Sequence, residues 1–285
     1  MNVYLAAEWD ERVFRLRLGV DPVDALGSSE RSGSSDVGVL IEQVPRPYRL
    51  PAVVDDRLGL PALCRTRSGR FALCFGARAF DTPPRLAIRI VDPAQRYVPR
   101  RLSVPVPDLA SVLATEDQAV KPARAHRPAL FPGARRPLPS GSTVLLGRAV
   151  RGAPDGPPVP WARIEAGLAG TGSVQWRAHG DRDGEFVLVV GALPQPYASS
   201  RTGTVDLDVT VHARPDPRDG DPVDSPSGSR ADPLWWLPVE SVAALEAADP
   251  TEAGTRLPAG YTDHVSTTQT LPRGRPFRPA PYVFP

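Results

Sequence analysis

The side chains best suited to hold a metal or move a proton are four histidines, His126, His179, His212 and His264. None is followed by Glu or His three or four positions on. That spacing places two zinc ligands on one helix face, so its absence argues against a zinc centre and leaves the histidines as solvated loop residues. Two cysteines, Cys64 and Cys74, flank a Ser68-Gly69 turn. In a reducing compartment they are expected to be small buried hydrophobes rather than a disulfide. Asp181-Arg182-Asp183-Gly184 opens like a calcium loop. It lacks the third ligand position and the closing glutamate, so a hairpin turn over Asp183-Gly184 is the better reading. There is no Gly-x-Ser-x-Gly elbow, Lys121 is followed by proline, and Gly170-Thr171-Gly172 lacks the third glycine of a dinucleotide fingerprint. The sequence therefore offers no catalytic, cofactor or metal residue, and the expectation is a protein that is not an enzyme and needs no cofactor.

A different chemistry is carried by the aromatic residues of the last quarter. Trp235 and Trp236 are adjacent, and Tyr261, Phe277, Tyr282 and Phe284 follow in a proline-rich tail. Apolar rings in such a segment need a surface to cover them, either the chain's own domains or another subunit. These six are the candidate protein-docking residues.

The elements that would carry them are short strands. Val13 to Leu18, Leu86 to Ile90, Leu102 to Val106 and Val205 to Val211 alternate apolar and polar residues with a period of two, the mark of a half-buried strand. Val144 to Val150, Trp161 to Ala166, Ser173 to Ala178 and Glu185 to Val190 add to the set, and Arg65 to Phe75 reads as a hairpin. The expected architecture is all-β. Residues 1–107 form an N-terminal sandwich, 108–142 a Pro/Arg-rich connector, 143–213 a second sandwich, and 214–285 an extended docking segment. Asp108 is placed to cap one short helix, and Val239 to Ala248 is a second helix candidate.

Composition supports this outline. The chain has 285 residues with 35 prolines and 24 glycines, which disfavours long helices. With 34 basic against 32 acidic residues it has no overall field for nucleic acid or an anionic membrane. The basic stretch from Lys121 to Arg136 contains only Phe131 as an aromatic, so it provides no stacking platform for bases. No run of about 18 apolar residues occurs, and the start carries no secretory pattern, so a cytoplasmic location is expected.

Three stretches of the second domain carry a resemblance. They are Val144-x-x-Gly147-x-Ala149-Val150, Pro158-Val159-Pro160-Trp161-Ala162-Arg163-Ile164, and Asp181-Arg182-Asp183-Gly184-Glu185-Phe186. Together they resemble a carboxypeptidase-regulatory-like, transthyretin-like β-sandwich, an accessory module without the zinc catalytic domain of the namesake enzymes. The resemblance implies a transthyretin-like fold for the second sandwich, and with the first sandwich read from alternation the chain is expected to hold two small Ig/transthyretin-like sandwiches. The Phe-Arg-Leu-Arg-Leu start, Asp92 to Arg101 and Leu257 to Tyr261 are more distantly similar to accessory proteins of phage-tail-like contractile injection systems. That likeness implies a structural subunit of the particle, at its cap or baseplate, whose partners are other protein subunits or further copies of itself. The competing reading is a carbohydrate- or cell-wall-binding module that stacks Trp161, Trp176, Trp235 or Trp236 on sugar rings. A hydrolase assembled from scattered Asp and His is the third.

Overall fold

A computed structural model describes residues 15–27, 37–42, 53–54, 60–75, 84–114, 125–191, 193, 203–215, 234, 236–243 and 249–285. The chain is nearly all β, as its alternation requires. The strands of the first half are β1 (Arg15–Val20), β2 (Val23–Asp24), β3 (Gly38–Ile41), β4 (Val53–Val54), β5 (Pro61–Ala62) and β6 (Cys64–Arg65). They continue as β7 (Phe71–Phe75), β8 (Arg85–Val91), β9 (Arg100–Pro105), β10 (Ala125–His126) and β11 (Ala129–Leu130). The second half contains β12 (Thr143–Arg151), β13 (Arg163–Leu168), β14 (Trp176–His179), β15 (Glu185–Val190) and β16 (Thr204–Ala213). It ends with β17 (Val239–Ser241), β18 (Asp263–Pro272), β19 (Pro276–Phe277) and β20 (Tyr282–Phe284).

The first sandwich packs a sheet of order β10-β1-β7-β6 against one of order β17-β9-β8-β3-β5-β4. Leu18, Val39, Ile41, Leu73, Leu86, Ile88, Leu102 and Val104 fill its core from both faces. The second packs β15-β12-β19, with β20 also on β12, against β14-β13-β16-β18. Leu145, Ile164, Phe186, Leu188, Leu207, Val209 and Val211 form that core. Gly147 is required there, because a Cβ would lie 2.1 Å from the Phe186 ring.

Neither sandwich closes with the residues the sequence assigned to it. β10 pairs in parallel with β1, and β11 with β2, so residues 125–130 of the 108–142 stretch are built into the first sandwich, while residues 134–141 stay largely on the surface. β17 pairs in parallel with β9. β18 runs the full length of β16, from Thr204 opposite Pro272 to Ala213 opposite Asp263. The boundary expected at 213 therefore cuts through the second sandwich. The start of the helix expected over Val239 to Ala248 is a strand, Val239–Ser241, which pairs with the edge of β9 and brings Glu240 to Arg100; residues 244–248 lie outside the described residues. The helix capped by Asp108 does form, α1 (Leu109–Ala114), with the Ser111 amide donating to Asp108 Oδ1 at 2.7 Å. Among the described residues no helix is long and apolar enough to cross a membrane.

Cys64 is exposed and stands opposite Ala72, not Cys74, so it is not the buried thiol expected from the hairpin. The side chain of Cys74 lies outside the described residues.

Candidate functional site

The two sandwiches meet along a seam whose centre is buried charge. Asp92 opens the loop leading into β9: its carboxylate accepts backbone N–H groups from Ala94, Arg96 and Tyr97 at 3.0 to 3.2 Å. This fixes the chain just before two consecutive buried arginines, Arg100 and Arg101. Arg100 is fully buried and forks onto Glu240, Nη2 to Oε2 at 2.7 Å and Nε to Oε1 at 3.2 Å. Its remaining N–H groups reach the carbonyls of Ala129 at 2.9 Å, Glu252 at 2.7 Å and Thr251 at 2.5 Å. From the second sandwich, Arg163 on β13 donates to the same Glu240 carboxylate at 3.1 Å. Glu240 thus joins a guanidinium from each sandwich. Burial alone would raise its pKa, but the charges and hydrogen bonds of Arg100 and Arg163 outweigh burial and hold it below the ordinary value.

A similar arrangement ties together β3, β8 and β9, the interior strands of the first sandwich's six-stranded sheet. Glu42 accepts from Arg101 at 2.5 and 2.9 Å and from Arg89 at 2.5 Å, while Arg101 also donates to the Leu237 carbonyl at 2.8 Å. Burial opposes ionisation of Glu42, yet the two arginines keep its pKa lowered. Arg85 pins β17 by donating to Val242 O at 2.7 Å and Ser241 Oγ at 3.0 Å.

Two histidines expected in solvent are part of this interior. His126, fully buried, hydrogen-bonds through Nδ1 to Glu252 Oε1, and Glu252 Oε2 accepts the Arg127 amide at 2.7 Å. His179 stacks on Phe131 with ring centroids 3.8 Å apart, and neither of its ring nitrogens has a hydrogen-bond partner. Burial, then the charges of Arg163 and Arg100, push its pKa well below 6.5, so it is neutral. The connector and the C-terminal segment cover both rings, which is why local sequence gave no sign of their burial. His212 is half-buried, 3.4 Å from Glu165, and His264 is exposed.

Trp161 sits between this network and the surface. It adopts φ 62°, a left-handed conformation that is rare for a bulky residue. Three bonds hold it there. Its amide donates to Asp181 O at 2.9 Å, and its carbonyl accepts from Tyr261 Oη at 2.7 Å and from Arg163 Nη1 at 3.0 Å. The indole is 3% exposed and packs with Val98 and Leu237. A strained residue held by its surroundings is a common feature of binding sites. One cleft on either side of Trp161 uses it as a wall. The first, about 420 Å³, is lined by Asp92, Asp181, Asp183 and Glu185 together with Arg135 and Arg182, with the Asp92 carboxylate itself turned inward onto backbone amides. Burial raises the pKa of Asp181 despite amide hydrogen bonds from Glu185 and Asp183. The second, about 330 Å³, combines Arg151, Arg182 and Arg214 with Trp161, Trp236 and Tyr261.

The docking residues read from the sequence fall into three groups. Tyr282 and Phe284 lie in the core of the second sandwich, Phe277 packs against it, and Tyr261 is bonded to Trp161, so all four dock on their own chain. Trp236 is 38% exposed at the second cleft. Trp235 lies outside the described residues. Of the indoles considered for sugar stacking, Trp161 is buried and Trp176 packs against the core. A tight turn forms over Asp181 to Gly184, with Gly184 at φ 74° and Asp181 Oδ1 accepting the amides of Asp183 and Glu185 at 2.9 Å, but it passes the chain from β14 to β15 in the opposite sheet, with the single bridge Gly180–Phe186 in place of the expected hairpin. Among the described residues no group of three or more His, Cys, Asp or Glu is arranged to hold a metal.

No family model, no curated protein and no solved structure matches the chain.

Proposed function

We propose that this chain is a structural or adaptor subunit of a larger protein assembly, working by protein–protein docking and not by catalysis. The observation that carries the reading is the stitching of two sandwiches into one body. A single C-terminal segment supplies β17 to the first sandwich and β18, β19 and β20 to the second, and Glu240 binds a buried arginine from each. Such a clamp fixes the orientation of two surfaces, as a subunit that positions its neighbours requires. A module that only captures a small ligand has no need of it. The assembly we propose is a phage-tail-like contractile injection particle, at its cap or baseplate. That assignment rests on the sequence likeness of Asp92 to Arg101 and Leu257 to Tyr261. In the first stretch Asp92 and Arg101 brace the first sandwich and Arg100 binds Glu240 at the seam, while in the second Tyr261 holds Trp161.

The test is to tag the chain in its native host, separate a lysate on a density gradient, and identify proteins in the fast-sedimenting fractions. The expected result is co-sedimentation with sheath and tube proteins that survives a high-salt wash, and defective particles in a strain lacking the chain. Recovery only in slow fractions, with normal particles in the deletion strain, would sink the proposal.

A further inference from the structure

We propose that β18 is a self-pairing edge: two copies of the chain form a symmetric dimer in which β18 of one adds antiparallel to β18 of the other, joining their second sandwiches through one continuous sheet. This goes beyond the adaptor reading and does not depend on it. β18 ends the order β14-β13-β16-β18 and is ten residues long, whereas every other strand at the end of a described sheet has two to six residues. Proteins that stay monomeric blunt a long edge with a lysine, a proline, a bulge or a covering loop. Between His264 and Leu271 β18 has no lysine, arginine or proline, and its register with β16 is unbroken from Asp263 to Pro272. Ser266, Thr267 and Thr268 are exposed in succession, so both faces are open at its centre.

The phase of the pairing shows which backbone groups are left over. The Arg273 amide donates to Gly203 O at 3.0 Å, and these two residues stand opposite each other in the same register. The odd-numbered residues of β18 therefore exchange hydrogen bonds with β16, while His264, Ser266, Thr268 and Thr270 turn their N–H and C=O groups outward. The far side of β16 agrees, since the Ala169 amide donates to Asp206 O at 3.0 Å. Among the described residues these outward groups meet no other strand, and only the Thr267 hydroxyl touches one of them, Thr268 O, at 3.4 Å.

A second copy suits this edge because the edge is complementary to itself. The four outward residues are spaced evenly about Thr267. With Thr267 of both copies on the twofold axis, His264 stands opposite Thr270 and Ser266 opposite Thr268, and these pairs exchange about eight hydrogen bonds. No like charges face each other. Antiparallel pairing also brings Arg273 of each copy diagonally beside Asp263 of the other, within reach of a long side chain. Arg273 has no ion-pair partner among the described residues, and the cation beside Asp263 is Arg151, at 3.5 Å. Parallel pairing would instead set Asp263 against Asp263. The twofold arrangement is closed, since each β18 is then paired on both sides and the joined sheet ends at the four-residue β14 of each copy.

The test is analytical ultracentrifugation of the full chain, kept reduced, from roughly 1 to 100 μM. We expect a dimer. Thr268→Pro removes an outward N–H and the exposed hydroxyl bond to Asp208 but no backbone bond to β16, and Thr267→Lys sets two like charges on the axis. Each should raise the dimer dissociation constant by about tenfold or more, with circular dichroism unchanged. Crosslinking reads the register. Cys64 is exposed and is first replaced by serine. In that Cys64→Ser background Thr267→Cys should give a disulfide-linked dimer on mild oxidation, because residues opposite each other in a non-hydrogen-bonded pair lie about 4.5 Å apart at Cα. Arg148→Cys, on the exposed face of β12, should not. The proposal is overturned if the chain is monomeric across this range, if both edge variants dimerise like wild type, or if Thr267→Cys crosslinks no better than Arg148→Cys. Particle incorporation separates this edge from the adaptor reading: a monomer found in the particle loses only the edge. A β18 dimer that stays out of the particle keeps the edge and loses the adaptor role.

Discussion

Replacing Glu240 by Gln tests whether buried charge holds the seam. The substitution keeps the shape and leaves Arg100 and Arg163, 0% and 3% exposed, without the carboxylate they share at 2.7, 3.2 and 3.1 Å. Breaking a buried ion pair by removing one partner costs about 3–5 kcal/mol, a large part of a domain's usual stability of about 5–15 kcal/mol. Urea unfolding followed by intrinsic fluorescence should therefore shift to a markedly lower midpoint. A second variant sharpens the test. In many proteins an apolar replacement of a whole ion pair is neutral or stabilising. Here Arg100 also donates to the carbonyls of Ala129, Thr251 and Glu252. Arg100→Met with Glu240→Leu would strip a donor from all three, at about 1–3 kcal/mol for each carbonyl left unsatisfied. The double variant should thus be no more stable than Glu240→Gln. If Glu240→Gln costs less than about 1 kcal/mol, or the double variant matches wild type, the seam is not held by this network.

The remaining predictions concern single groups. His179 has a depressed folded pKa, so its unfolded form takes up a proton that the native form refuses; stability should be full above pH 6.5 and fall below it. The fall should approach about 1.4 kcal/mol per pH unit, and His179→Leu should remove it, leaving only the smaller slope of half-buried His212, whose pKa burial also lowers. Glu42 and Glu240 have lowered pKa values, so their contribution should persist above pH 4.5 and disappear as pH falls through their folded values. Gly184→Ala should cost at least about 2 kcal/mol in thermal or urea unfolding, because φ is 74° and the new Cβ would lie 2.4 Å from Ala149 O. Phe284→Ala, removing a fully buried ring from β20, should cost about 3–5 kcal/mol. Cys64 should react with a thiol reagent in the native protein, since it is exposed.

How far the sequence revealed this arrangement depended on whether a residue's partner was local. β15 occupies the expected Glu185 to Val190, an apolar run after the Asp183-Gly184 turn, and β16 and β8 extend their expected strands by a residue or two. In β16 one face is buried against the facing sheet across the core and the other is largely exposed, so periodicity carries the signal. β10, β11 and β17 are two or three residues long and have no period to read. Glu240 sat in what read as the start of a helix, and its partner Arg100 lies 140 residues earlier. Tertiary pairing overrode local propensity there. A signal did exist in Arg100-Arg101, two charges opening a strand whose following residues alternate. Buried arginines require carboxylates, but nothing in the sequence singled out Glu240 and Glu42 from the other acids. The strain at Trp161 was invisible, since the Pro-Val-Pro stretch before it reads simply as a turn into a strand.

The closure of both sandwiches by the C-terminal segment dictates an order of assembly. β9 lacks its edge partner until residue 241 has been made, and β16 and β12 wait for residues 272 and 284. While the chain emerges during synthesis, each sandwich exposes an open strand edge and part of its core. Such long-range pairing slows folding and leaves edges open to strands from other chains. Folding is therefore held back until β17, β18 and β20 have emerged, and a chain truncated before β17 should accumulate as aggregates rather than as a folded N-terminal domain.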